Sequence, residues 1–197
     1  MVDYKTGKTT FELGDVEAGL GMQMLLYLFI VGDNSRRYLE DQGQLRPAGV
    51  LYHKLSDLVV DRGQGSADRL KKMCMEGVVL DDASVLLAME PGGEKCYIPA
   101  NLDKGGTPTG SVVTLRQFQL LRRSVERLLV GMADTLLAGD IEALPLQTGD
   151  RSPCTRCDYR AVCARDAEAP VTEFKAKGRR TYLEELEAQD EEVSDRG

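Results

Sequence analysis

The chain has 197 residues, 42% of them hydrophobic and 29% charged, with a net charge of −7, the balance of an ordinary soluble globular domain able to bury a sizeable core. The longest apolar run, Met24 to Val31, is too short to span a bilayer, and the polar, charged N-terminus has no apolar signal segment, so a cytoplasmic protein is expected. Seven acids and one arginine lie between Leu183 and Gly197 and carry most of the acid surplus; the near-neutral remainder has no basic excess to drive nucleic-acid binding through counterion release, so any such grip is local or lies outside these residues.

Val2-Asp3-Tyr4-Lys5-Thr6 reads as a short strand turned by Gly7. Side chains alternate along a strand, so Asp3 and Lys5 share a face, separated by about 6.5–7 Å of rise, room for a divalent cation and a phosphate oxygen. Tyr4 faces the other way, toward an expected packed layer. Asp15 is the predicted N-cap of a helix over Val16–Val31, on which Gln23 and Tyr27, four apart, share one face and reach a common ligand. Gly19 and Gly21 each cost that helix about 1 kcal/mol against alanine. Close packing on the sheet accounts for them, and so does backbone approach to a metal or nucleic acid.

Asp33 to Leu45 reads as a polar loop and Pro47 to Tyr52 as a buried strand with proline at its entrance. Helices are predicted over Ser66–Glu76 and Asp81–Met89, the latter capped by Asp81 or Asp82. A hairpin is expected between Cys96–Ile98 and Ser111–Val113 across Asp103-Lys104-Gly105-Gly106. Thr114-Leu115-Arg116-Gln117 is a capping box opening a long helix with the stripe Phe118, Leu121, Val125, Leu128, Met132, Leu136. Arg116, Arg123 and Arg127 fall on another face, either a solvated basic face or a phosphate-contacting strip. Gly139-Asp140 ends the helix. There is no internal repeat.

Cys154, Cys157 and Cys163 have the spacing C-x2-C-x5-C. Disulfides do not suit a cytoplasmic chain. A structural zinc site takes four ligands, commonly two pairs, and the second pair is lacking. The lone His53 and the thiols of Cys74, in a predicted helix, and Cys96, in a predicted strand, read as ordinary residues.

D-Y-K on a strand, Q-x-x-x-Y on the next helix and C-x2-C-x5-C downstream together resemble the PD-(D/E)xK nucleases in their RecB-like form. Pro47 to Tyr52 and Met75 to Leu80 extend the resemblance to the C-terminal region of the AddB family of helicase–nucleases, over Val2 to Lys175. The resemblance implies an α/β fold: a partial restriction-endonuclease-like core with helices packed on a small mixed sheet, plus a C-terminal iron–sulfur cysteine segment. It divides the chain into 1–150, the C-terminal part of the nuclease domain; 151–175, the iron–sulfur cysteine segment; and 176–197, an acidic tail expected to be disordered.

It also implies a metal-dependent DNA exonuclease acting in double-strand break repair and homologous recombination, beside an AddA-like helicase–nuclease partner, with no membrane partner. Asp3 and the Tyr4 carbonyl would hold Mg2+. Lys5 would orient the attacking water or stabilise transition-state charge, and Gln23 and Tyr27 would position the strand. Cys154, Cys157 and Cys163 would hold a 4Fe–4S cluster with a fourth cysteine upstream of Met1. The family's first aspartate would also precede Met1, so these 197 residues alone are expected to bind magnesium weakly and to be inactive. No Walker A motif is present, so no motor is expected here. Two other readings stay open: a non-catalytic iron–sulfur DNA-binding or scaffold module, and a stand-alone RecB-like exonuclease. The simplest account of Asp3 and Lys5 alone is a surface ion pair of small value.

Overall fold

The computed structural model describes residues 1–6, 11–38, 45–55, 73–149, 152–163, 165–166 and 170–194. Its centre is a four-stranded mixed sheet of β1 (Val2–Lys5), β2 (Gly49–Lys54), β3 (Glu76–Leu80) and β6 (Val112–Val113) in that spatial order. β1 runs parallel to β2, β2 antiparallel to β3, and β3 parallel to β6.

Alternation along the central strands supplies two cores. Val50, Tyr52, Val78 and Leu80 face one way, toward Met24 and Leu25 of α1 (Gln23–Asp33). Leu51 and Val79 face the other way, toward Leu86, Ile98 and Ala100. Leu86 belongs to α3 (Ala83–Met89), and Ala100 to β4 (Ala100–Leu102), which pairs with β5 (Pro108–Gly110). Strands buried on both faces need near-continuous apolar runs, and β2 and β3 have them. Asp82 caps α3 by accepting from the Ser84 and Val85 amides. The hairpin forms around the expected turn, pinned where the Asp103 carboxylate accepts from the Gly105 and Thr107 amides. Its strands lie inside the predicted ones, because Val112 and Val113 pair with β3 instead.

Thr114 and Gln117 close the capping box of α4 (Leu115–Leu137). Phe118, Leu121 and Val125 are buried, but Met132 is 43% and Leu136 76% exposed, so the stripe packs only along the first half. After α4, the short parallel pair β7 (Leu146–Gln147) and β8 (Thr172–Glu173) brackets the cysteine segment, which contains α5 (Arg160–Cys163).

Three expectations are corrected. The single helix capped by Asp15 is broken: a 3-10 turn over Leu13–Ala18 comes first, and α1 begins only at Gln23. Gly19 (φ 77°) and Gly21 (φ 67°) take left-handed backbone that stops the helix between them. The polar stretch after Asp33 opens with another helical turn, α2 (Ser35–Tyr38), and 39–44 lie outside the described residues. The third correction is the tail: Arg179–Ser194 form α6, with Tyr182, Leu183 and Leu186 buried in the main core. These three apolar residues are spaced to make one stripe within the acidic run, and that stripe docks the helix. The predicted helix Ser66–Glu76 falls mostly on 56–72, outside the described residues; Glu76 itself opens β3, and Cys74 lies outside any helix. No described helix is long and apolar enough to cross a membrane.

Candidate active site

Parallel register sets Asp3 beside Tyr52 and Lys5 beside Lys54. The Asp3 carboxylate and Lys5 ammonium pair at 2.7 Å, each side chain about 30% exposed. Both are on the sheet face that meets α1, the face that carries Tyr52. Tyr4 points away and is 64% exposed, its ring edge-on to His53 at 5.7 Å rather than in the packed layer expected for it.

The Lys5 Nζ sits 5.7 Å from the centroid of the Tyr52 ring, and that ring stacks on Phe11 at 4.9 Å. Burial, and then the charge of Asp3, push the Tyr52 phenol up to about 12. On α1, the Gln23 amide donates to the Tyr27 hydroxyl at 2.9 Å, and Tyr27 is 46% exposed. A pocket of about 100 Å³ joins strand and helix: Lys5 and Gln23 line it together, with Phe11, Glu12, Asp15, Gly21 and Tyr52. The structure therefore brings Lys5 and Gln23 to one depression, with Asp3 attached through Lys5 and Tyr27 through Gln23.

Tyr52, Glu12 and Asp15 were not singled out as site residues from the sequence. Tyr52 was legible only through register, which no local pattern gives. Asp15 read as a helix cap; instead its carboxyl faces the pocket, and burial raises its pKa. The two glycines divide the two explanations offered for them. A Cβ at Gly19 would come within 2.6 Å of the Met132 Cε, a packing constraint. A Cβ at Gly21 would meet nothing, and its backbone lines the pocket.

Among the described residues, no three His, Cys, Asp or Glu side chains gather closely enough to hold a metal ion. Magnesium is commonly held by one or two carboxylates together with waters and substrate phosphates, so Asp3 suits it as a single protein ligand. Cys154 lies in a 3-10 turn over Pro153–Arg156, Cys157 caps that turn, and Cys163 ends α5. Cys154 is half-buried and the other two thiols are exposed. A soft donor set of this kind suits iron–sulfur chemistry, one ligand short of the usual four. Cys74 is half-buried elsewhere, its thiol donating to the Ile98 carbonyl at 3.5 Å, and burial raises its pKa. The predicted basic strip is engaged by α6: Arg123 pairs with Asp190 at 2.9 Å, and Arg116 approaches Asp190 at 3.5 Å and Glu191 at 3.8 Å.

The family model described as the PD-(D/E)XK nuclease superfamily matches residues 1–164, from β1 through the last of the three cysteines. The chain belongs to the PD-(D/E)XK nuclease superfamily. Within curated proteins it is 31% identical over 188 residues to AddB, the B-type chain of the ATP-dependent helicase/deoxyribonuclease, of Clostridium perfringens (strain SM101 / Type A), covering 89% of this chain and 16% of that protein. It is 33% identical over 184 residues to the protein of that name from Clostridium novyi (strain NT), with the same coverage. The corresponding Thermoanaerobacter sp. (strain X514) protein is 31% identical over 173 residues, 83% of this chain and 15% of the relative. The chain thus spans about one-sixth of the length of these superfamily relatives.

Proposed function

We propose that this chain is the nuclease portion of a helicase–nuclease subunit that hydrolyses DNA phosphodiester bonds during double-strand break repair by homologous recombination. The supporting observation is the Asp3–Lys5 pair adjoining the pocket that Lys5 shares with Gln23, inside the superfamily match. When bound at Asp3, and on this reading at the Tyr4 carbonyl, magnesium supplies Lewis acidity at the phosphoryl group. Lys5 places its ammonium where negative charge develops on the phosphoryl oxygens in the transition state. Asp3 holds that ammonium at the strand surface. Gln23, fixed by Tyr27, hydrogen-bonds the strand being cut and aligns it. Cys154, Cys157 and Cys163 hold a 4Fe–4S cluster with a fourth cysteine from elsewhere in the full-length protein. DNA and an AddA-like motor subunit are the partners, in the cytoplasm.

The test is Lys5→Ala in the full-length complex with its motor subunit. Strand cutting by this subunit is lost and ATP-driven unwinding continues. Continued cutting of both strands would refute the role of Lys5. Purified without oxygen, the complex contains iron and acid-labile sulfide lost on Cys157→Ser; zinc in their place overturns the cluster assignment.

A further inference from the structure

Lys5 is a long, flexible side chain on a four-residue strand, and its ion pair with Asp3 is partly open to solvent. A partly exposed pair of this kind fixes geometry weakly, because two mobile side chains must both be ordered to make it. Something else must hold the ammonium if it is to stay at the mouth of the pocket.

The neighbouring strand provides the surface. Tyr52 lies directly across from Asp3 in the parallel register, on the same face as Lys5, and is only 7% exposed. Its ring lies 5.7 Å below the ammonium. Phe11 stacks on it at an interplanar angle of 25°, so the ring cannot tilt away. Tyr52 and Phe11 line the pocket along with Lys5 and Gln23.

We propose that Tyr52, backed by Phe11, is a positioning residue whose ring face holds the Lys5 ammonium beside Asp3 at the pocket mouth. The proposal deepens the nuclease reading and rests on it for the purpose of that lysine. Cation–π attraction is electrostatic and needs the ring face, not the hydroxyl. The phenol stays protonated far above neutral pH, since its pKa lies at about 12, so no phenolate competes with Asp3 for the cation.

The test reads Lys5 itself and needs no cleavage assay. The full chain is labelled with trace acetic anhydride at fixed pH, and each lysine's rate is measured by mass spectrometry. Lys177, held by Glu17 and Glu185 at the base of α6, is the internal control. In Tyr52→Leu, Lys5 labels about two- to five-fold faster relative to Lys177, the loss expected for one cation–π contact at a partly exposed site. Tyr52→Phe restores the native rate. Phe11→Leu, a milder change at a partly exposed ring, gives an intermediate rise and carries the test if Tyr52→Leu does not fold. An unchanged Lys5 rate in Tyr52→Leu, or in Phe11→Leu where that variant carries the test, overturns the proposal, as does a rise in Tyr52→Phe equal to that in Tyr52→Leu. Faster labelling of Lys5 together with undiminished cutting by Lys5→Ala supports the positioning role while removing the nuclease role of the lysine.

Discussion

Asp15 shows how one residue's surroundings set its cost. Its carboxyl faces a small pocket beside Lys5 and Gln23, and burial raises its pKa above the ordinary 3.8. A group with a raised folded-state pKa contributes stability that is complete below its unfolded value and is lost as pH rises through the folded one. At neutral pH the ionised Asp15 is therefore a burden on the fold. Asp15→Asn is expected to raise the urea midpoint at pH 7, with the gain shrinking to nothing below pH 3.8. Urea titrations at the two pH values check this; an equal gain at both would mean that ionisation is not the cause.

At the scale of elements, the close approach of β2 and β3 is held by a missing side chain. Gly77 lies opposite Leu51 with φ at +139°, and a Cβ there would come within 2.1 Å of the Val50 carbonyl oxygen. Gly77→Ala is expected to destabilise the chain by about 2–4 kcal/mol, combining backbone strain with overpacking between strands. Chemical denaturation measures it; a loss near zero would mean the strands separate freely. The elements most legible in the sequence were those with local signatures: the Asp82 cap, the Thr114–Gln117 box, the Asp103 turn and the apolar runs of β2 and β3. The broken helix before Gln23 was not legible, because glycine pairs permit a helix as well as a stop, and neighbours such as Met132 decide. The Asp3–Lys5 pair followed from strand periodicity, while Tyr52 needed the register of a strand some fifty residues away.

For the molecule as a whole, charge pattern misdirected the reading of the C-terminus. Seven acids outweigh three buried apolar residues in any composition average, yet Tyr182, Leu183 and Leu186 decide where α6 goes. Burying each is worth about 1.5–3 kcal/mol, a large share of a typical domain stability of about 5–15 kcal/mol. Deleting 179–197 is therefore expected to abolish cooperative thermal unfolding and to expose dye-binding apolar surface. A shortened chain with an unchanged melting temperature would restore the idea of a dispensable tail. The docked acids also occupy the arginines of α4, so Arg116 and Arg123 are not free to meet phosphates on that side.

The contact between Gly14 and residue 177 reaches further. A Cβ on Gly14 would lie 2.0 Å from the Lys177 carbonyl oxygen, and the Lys177 ammonium bonds Glu17 on the turn and Glu185 on α6. The shelf leading to Gln23 thus leans on polypeptide made more than one hundred and fifty residues later. On the ribosome, the D-Y-K and Q-x-x-x-Y segments emerge early and must wait for that buttress. The catalytic hollow is completed only once the closing helix has cleared the exit tunnel, so an interrupted translation product would carry both signatures without the architecture that joins them.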